Sequence, residues 1–153
     1  MAVTASGLYL TTWKSALNGT IVLNLDLETH KLALFNNTIT PNFNTDTAYG
    51  VAPYNANEVS GTGWAAGGVA LTTTTLDITT TSGTFVYDAA DVSVASTTLT
   101  NARCALIYAD ALAGNDAFLL VNFAADFSTV NGTFGIQWAA PASGGVFNID
   151  MTP

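Results

Sequence analysis

Catalysis needs a nucleophile with a base, a metal-ligand set or a phosphate cradle, and this sequence offers few residues for any of them. It holds one histidine, His30, and one cysteine, Cys104. A serine-type triad would have to recruit His30, and the Gly-x-Ser-x-Gly elbow that presents such a serine does not occur. A zinc site of Cys/His type cannot be assembled from one residue of each kind. His30 stands next to Lys31 and close to Glu28, which reads as a solvated residue in a polar turn. Cys104 opens the apolar run Cys104-Ala105-Leu106-Ile107-Tyr108, the setting of a buried, inert thiol.

Two carboxylate pairs remain. Asp88 and Asp91 bracket two alanines, and Asp110 and Asp116 flank Gly114-Asn115. Such pairs can ligate Ca²⁺ or act on a glycosidic bond. Neither has the Asp/Asn/Gly rhythm of a calcium loop, and aspartate also initiates turns through its own side chain. The turn reading is adopted here, so no catalytic residue, metal ligand or cofactor is assigned.

Residues 57–71 place Gly61, Gly63, Gly67 and Gly68 around Trp64. The spacing lacks the Gly-Lys-Ser/Thr ending of a phosphate loop, and no cation lies nearby. Glycine permits close approach of backbone segments. The stretch therefore predicts a tight corner with one indole buried at its centre.

The elements that must position these residues follow from composition and period. The chain has 153 residues, enough for one domain with a substantial core. Charged residues make up only 9%, against about 25% in ordinary domains. Solubility falls instead to hydroxyls and amides, with threonine occurring 24 times, and a β-branched, charge-poor chain favours strands. Eleven acids face Lys14, Lys31 and Arg103, for a net charge of -8. That balance argues against nucleic acid and against an acidic membrane surface as partners. The first residues lack a basic region followed by an apolar core, and no apolar run approaches about 18 residues, so neither a signal peptide nor a spanning helix is expected.

Ser6 can cap a short helix whose core face would be Leu10, Trp13 and Leu17, ended by Asn18-Gly19. Alternation over residues 21–27 predicts a strand, and after a turn near residues 28–30 a second strand over 31–35. Residues 36–57 carry Pro41, Pro53, Phe43, Tyr49 and Tyr54 without periodicity. They read as a long loop packed on the domain or on a neighbouring subunit. The apolar positions change parity between Leu71 and Leu76, which predicts a bulge or break within residues 72–75. Ser82-Gly83 predicts a turn into a strand over 84–87, and Val92 and Val94 begin another extended piece. Residues 103–108, 118–123, 133–138 and 146–151 predict strands separated by Gly114-Asn115, Asn131-Gly132 and Gly144-Gly145. Phe118-Leu119-Leu120-Val121 is apolar on both faces, as a central strand would be, while Phe134, Ile136 and Trp138 share one face. The prediction is an all-β single domain: an antiparallel β-sandwich (jelly-roll or Greek-key like) with one short N-terminal helix.

Three blocks also resemble, in order, a family of small tailed-bacteriophage virion proteins. Glu58-Val59-Ser60-Gly61-Thr62-Gly63-Trp64-Ala65-Ala66-Gly67-Gly68 resembles the family's Glu-Val-Ser/Thr-Gly-Thr-Gly-Tyr-x-x-Gly-Gly block. Asp88-Ala89-Ala90-Asp91-Val92 with Ala102-Arg103-Cys104-Ala105-Leu106-Ile107-Tyr108 resembles the next, and Asn131-Gly132-Thr133-Phe134-Gly135-Ile136-Gln137-Trp138 the last. Leu8-Tyr9 and Lys14-Ser15 fit the family's opening. The resemblance runs from about Ser6 to Trp138; Trp64 departs from the commoner tyrosine, and Val94 stands where tryptophan is expected. It implies a non-enzymatic capsid decoration (cement) protein on the outer surface of the virion. Its partners would be the major capsid protein and copies of itself, as a homotrimer. Trp64, Phe43, Tyr49, Tyr54 and Trp138 are the structural and interface candidates. A tail or head–tail component, or a carbohydrate- or receptor-binding module, is the alternative.

Overall fold

The computed structural model describes residues 2–78 and 83–152. Two antiparallel sheets pack together as an all-β sandwich with one short helix near the N-terminus. The larger sheet is built from β1 (Gly7–Leu8), β2 (His30–Phe35), β3 (Glu58–Val59), β4 (Val69–Ala70), β7 (Val92–Ala109) and β8 (Asp116–Ile136). Its order is β1-β8-β7-β2-β3, with β4 also paired to β2. The smaller sheet contains β5 (Thr75–Ile78), β6 (Thr84–Asp88) and β9 (Phe147–Asp150), with β6 in the middle. The helix α1 spans Leu10–Leu17.

The apolar runs form the centre because both of their faces are covered. Leu32, Leu34, Ala105 and Ile107 enter one core, together with Trp64, Leu99, Phe118 and Phe134. The alternate residues Ala33, Phe35, Cys104, Leu106 and Tyr108 enter a second, under Tyr9, Ile39 and Tyr54. Alternation across a pleated strand thus divides one apolar run between two cores. Residues 118–120 are buried as predicted for a central strand, and Phe134 is buried while its neighbours Thr133 and Gly135 are exposed.

Several predicted elements are redrawn. Residues 92–94 and 103–108 belong to one strand of 18 residues, and residues 118–123 and most of 133–138 to one of 21. Asn131-Gly132 is no hairpin turn. It sits inside β8 at a register shift, where Gly132 lies opposite Thr97. Hydroxyls hold the irregularity: Thr97 Oγ1 donates to the Gly132 carbonyl at 3.0 Å, and Thr98 Oγ1 accepts the Asn131 N–H at 3.1 Å. Gly114-Asn115 does form the β7–β8 hairpin, and the break predicted within residues 72–75 is where the chain leaves β4 for β5 in the other sheet. Ser82, half of the predicted Ser82-Gly83 turn, lies outside the described residues.

Residues 21–27 form no strand. The Asn24 side chain accepts the backbone N–H groups of Asp26 and Leu27, each at 3.1 Å. This local turn satisfies groups that a ladder would otherwise use. The helix forms where predicted, but Ser6 does not cap it: Tyr9 occupies the cap position, and Ser6 Oγ accepts the Asn122 N–H at 2.9 Å. Its rotation also differs. Leu10 is 56% exposed and Leu17 85%, whereas Thr12 is buried and donates to the Ala117 carbonyl at 2.5 Å. Tyr9 N–H and Trp13 Nε1 both donate to the Phe118 carbonyl, at 3.1 and 3.2 Å. Anchoring to β8 carbonyls, rather than the apolar period, fixes which side of α1 faces inward.

The corner is tightest at Gly68, whose φ is +76° and whose added Cβ would overlap the Leu32 carbonyl. Gly19 has the same left-handed backbone, φ +75°, with open space around it. Gly68→Ala is therefore expected to cost about 3 kcal/mol or more, and Gly19→Ala only about 1 kcal/mol, since strain alone acts at the second position. Denaturant melts of the two variants beside the parent measure the difference.

Candidate functional site

The glycine corner closes on itself through paired backbone bonds between Gly61 and Trp64, at 2.8 and 3.0 Å. It meets the far half of the β7–β8 ribbon where Thr98 N–H donates to Thr62 O at 3.0 Å. The Trp64 ring, 1% exposed, packs edge-on to Phe134 with centroids 5.4 Å apart. Its indole N–H finds no acceptor. The ring is thus held by apolar contact, as a wedge between corner and ribbon.

The long loop packs inside the chain. Tyr54 is buried, its hydroxyl bonded to that of Tyr9, and Phe43 covers Gly7 and tilts against Tyr9 at 5.3 Å. Tyr49 stacks on Tyr108 with centroids 4.6 Å apart and planes within 10°. Glu58, which sequence reasoning passed over, joins the two loops. Its Oε2 accepts the Tyr49 hydroxyl at 2.8 Å and its Oε1 the Gly67 N–H at 2.6 Å. Tyr108 completes the set by donating to the Gly67 carbonyl at 2.8 Å. Burial, reinforced by the bond to Glu58, pushes the Tyr49 phenol up to about 12. Trp138 is partly buried and anchored by two bonds, Nε1 to the Ala90 carbonyl at 3.2 Å and N–H to Asp91 Oδ1 at 2.9 Å. The five candidates therefore do not converge on one patch. Phe43, Tyr49 and Tyr54 pin the one long loop, Trp64 the glycine corner and Trp138 the segment after β8.

The residues with chemical potential are also dispersed. His30 is not solvated but fully buried. It begins β2, where Leu32 and Leu34 share its face, and that strand context was the available signal. Cys104 is buried, and desolvation pushes its thiol up to about 12. Asp91 is occupied with Trp138, and Asp110 pairs with Lys31 at 3.1 Å. Asp88 does not join Asp91; with Asp77 and Asp150 it lines a recess of about 630 Å³ on the outer face of the smaller sheet, beside Asn148 and Ser143. Among the described residues, no three His, Cys, Asp or Glu side chains are gathered in a way that could hold a metal ion. Large apolar side chains instead reach solvent at Leu10, Leu17, Val22, Leu27, Ile78, Phe127 and Val130.

No protein-family model, curated protein or solved structure matches this chain.

Two outcomes follow from the burial of these side chains. Trp64→Ala is expected to lose about 3–5 kcal/mol of stability, the range for truncating a buried aromatic, as read by denaturant melts. Cys104 is expected to resist an aromatic disulfide reagent at pH 8 while the protein is folded, and to react at once in denaturant. A rapidly labelled native thiol would contradict its place in the second core.

Proposed function

We propose that this protein is a non-enzymatic structural component of a tailed-phage virion, a decoration protein that binds the outer surface of the assembled capsid. The observation that carries the reading is the ordered set of resembling blocks and the part each plays in the frame. Residues 58–68 form the corner around Trp64, residues 102–108 the buried centre of β7, and residues 131–136 the end of β8 that sets Phe134 against that indole. The blocks supply a stiff scaffold in which loops are pinned by side-chain bonds rather than left open around a cleft.

The surface supports the same reading. Apolar groups such as Leu17 and Val130, each more than four-fifths exposed, stand on a charge-poor exterior. A cement works by adding contact area between neighbouring capsomers, and such side chains would supply apolar area to it. Two of the three cations are engaged within the chain, Lys31 with Asp110 and Arg103 with Asp126. Salt bridges from the chain's own cations would have little to draw on, and the proposed contact rests on apolar and neutral polar groups rather than on the surplus carboxylates.

Purified protein added to shells stripped of it is expected to bind stoichiometrically and to stay bound up to about 1 M salt, where screening reaches within about 3 Å. Particles lacking it should assemble but release DNA sooner on heating. Full-strength particles that are tailless or fail to adsorb would assign the protein to the tail instead. Co-sedimentation and thermal release of DNA distinguish the two.

A further inference from the structure

The smaller sheet is held to the rest of the molecule by hydrogen bonds from Leu76 N–H and Thr74 Oγ1 to Asp26 and by an aromatic cluster with a single histidine at its centre. The pairing of Leu76 with Tyr87, Ile78 with Phe85, Phe85 with Ile149 and Tyr87 with Phe147 puts all six side chains on one face of that sheet. At one end of this face, Tyr87 and Phe147 pack inward. Tyr87 meets Phe118 at 5.9 Å, and Phe147 meets Trp13 at 5.8 Å. His30, on β2, lies edge-on to Phe118 at 4.9 Å and to Tyr87 at 5.8 Å. Its Nδ1 shares a 2.8 Å hydrogen bond with the Tyr87 hydroxyl, which ties one sheet to the other. At the other end, Ile78 and Phe85 are exposed.

The surroundings of the imidazole favour its neutral form. Both ring nitrogens are sealed from water, and Nε2 has no partner at hydrogen-bond geometry. The charged and titratable groups on the adjoining segments are Glu28 on the preceding turn and Asp88 on β6, each with one buried, unpartnered carboxylate oxygen, Lys31 beside the ring (already paired with Asp110), and Tyr87 on β6. Of these only Tyr87 bonds the ring, and a phenol cannot neutralise an imidazolium. We propose that protonation of His30 releases the smaller sheet from the larger one while the larger sheet stays folded, making the joint an acid-sensitive hinge.

Burial lowers the His30 pKa from 6.5 to about 4, against a slight opposing effect of the Asn24 carbonyl. The docked state binds fewer protons than the released one. Docking is therefore at full strength above pH 6.5 and weakens as pH falls through the window down to about 4. The larger sheet keeps its own ladder, β1-β8-β7-β2-β3, none of which passes through the smaller one.

Amide NMR spectra recorded from pH 7 to pH 3.5 test this. Signals of Thr84–Asp88 and Phe147–Asp150 should change together, following the His30 ring, while those of residues 104–108 and 117–120 hold. In His30→Gln the change should move down by at least one pH unit or vanish, which separates His30 from the carboxylates of Glu28 and Asp88. Tyr87→Phe keeps the imidazole and should still respond to acid. An unchanged midpoint in His30→Gln, loss of the response in Tyr87→Phe, both sheets melting together, or wild-type signals constant to pH 3.5 would each overturn the hinge.

Discussion

Nearly every other element is placed by the antiparallel pairing of β7 with β8. These two strands carry the N-terminal strand on one side and β2 on the other, and their far halves bend over to meet the glycine corner. Strands of this length would splay or aggregate if they ran flat. They are curled by five register shifts, with Ser96, Asn101, Ala124 and Asn131 in left-handed backbone. The irregularities cost ladder bonds, and between residues 97 and 101 side-chain hydroxyls replace them. Thr129 Oγ1 accepts the Leu99 N–H at 3.2 Å, and Ser128 Oγ accepts that of Asn101 at 2.9 Å. The abundance of threonine thus has a mechanical use: a short β-branched side chain favours the strand and lends it a spare hydrogen-bonding group.

The scarcity of charge belongs to the same design. Loops that many proteins hold by surface ion pairs are here held by stacked tyrosines, indole N–H groups and carboxylates that accept N–H or O–H groups, Glu58 on both oxygens and Asp46 and Asp91 on one. Such contacts are short-ranged and little affected by salt.

What the sequence made legible was burial and class; what it hid was rotation and continuity. Trp64 among glycines, Phe118 to Val121 as a doubly covered run, and the break after Leu71 could all be read because local chemistry decides them. The outward turn of Leu10 and Leu17 could not, because it is decided by hydrogen bonds from Thr12 and Trp13 to a strand over a hundred residues away. Asn131-Gly132 looks like a hairpin turn in any local window, and only the threonines opposite it make it a bulge. His30 seemed polar by its neighbours in sequence, yet its neighbours in space are Tyr87 and Phe118. No single chemical centre was legible because the candidate residues serve different loops.

The attachment of α1 to the Ala117 and Phe118 carbonyls also sets an order of events during synthesis. The N-terminal segment pairs Gly7 with Leu120 and Leu8 with Leu119, and Thr12 reaches across a separation of 105 residues. On the ribosome Tyr9 can meet Phe43 and Tyr54 early, but Thr12 and Trp13 find their acceptors on β8 only when most of the chain has emerged. Contacts of such sequence separation form late and slowly. Until then Trp13 lacks both the Phe118 carbonyl and the Phe147 ring that cover it, so the nascent chain passes through an adhesive interval that the finished protein does not show.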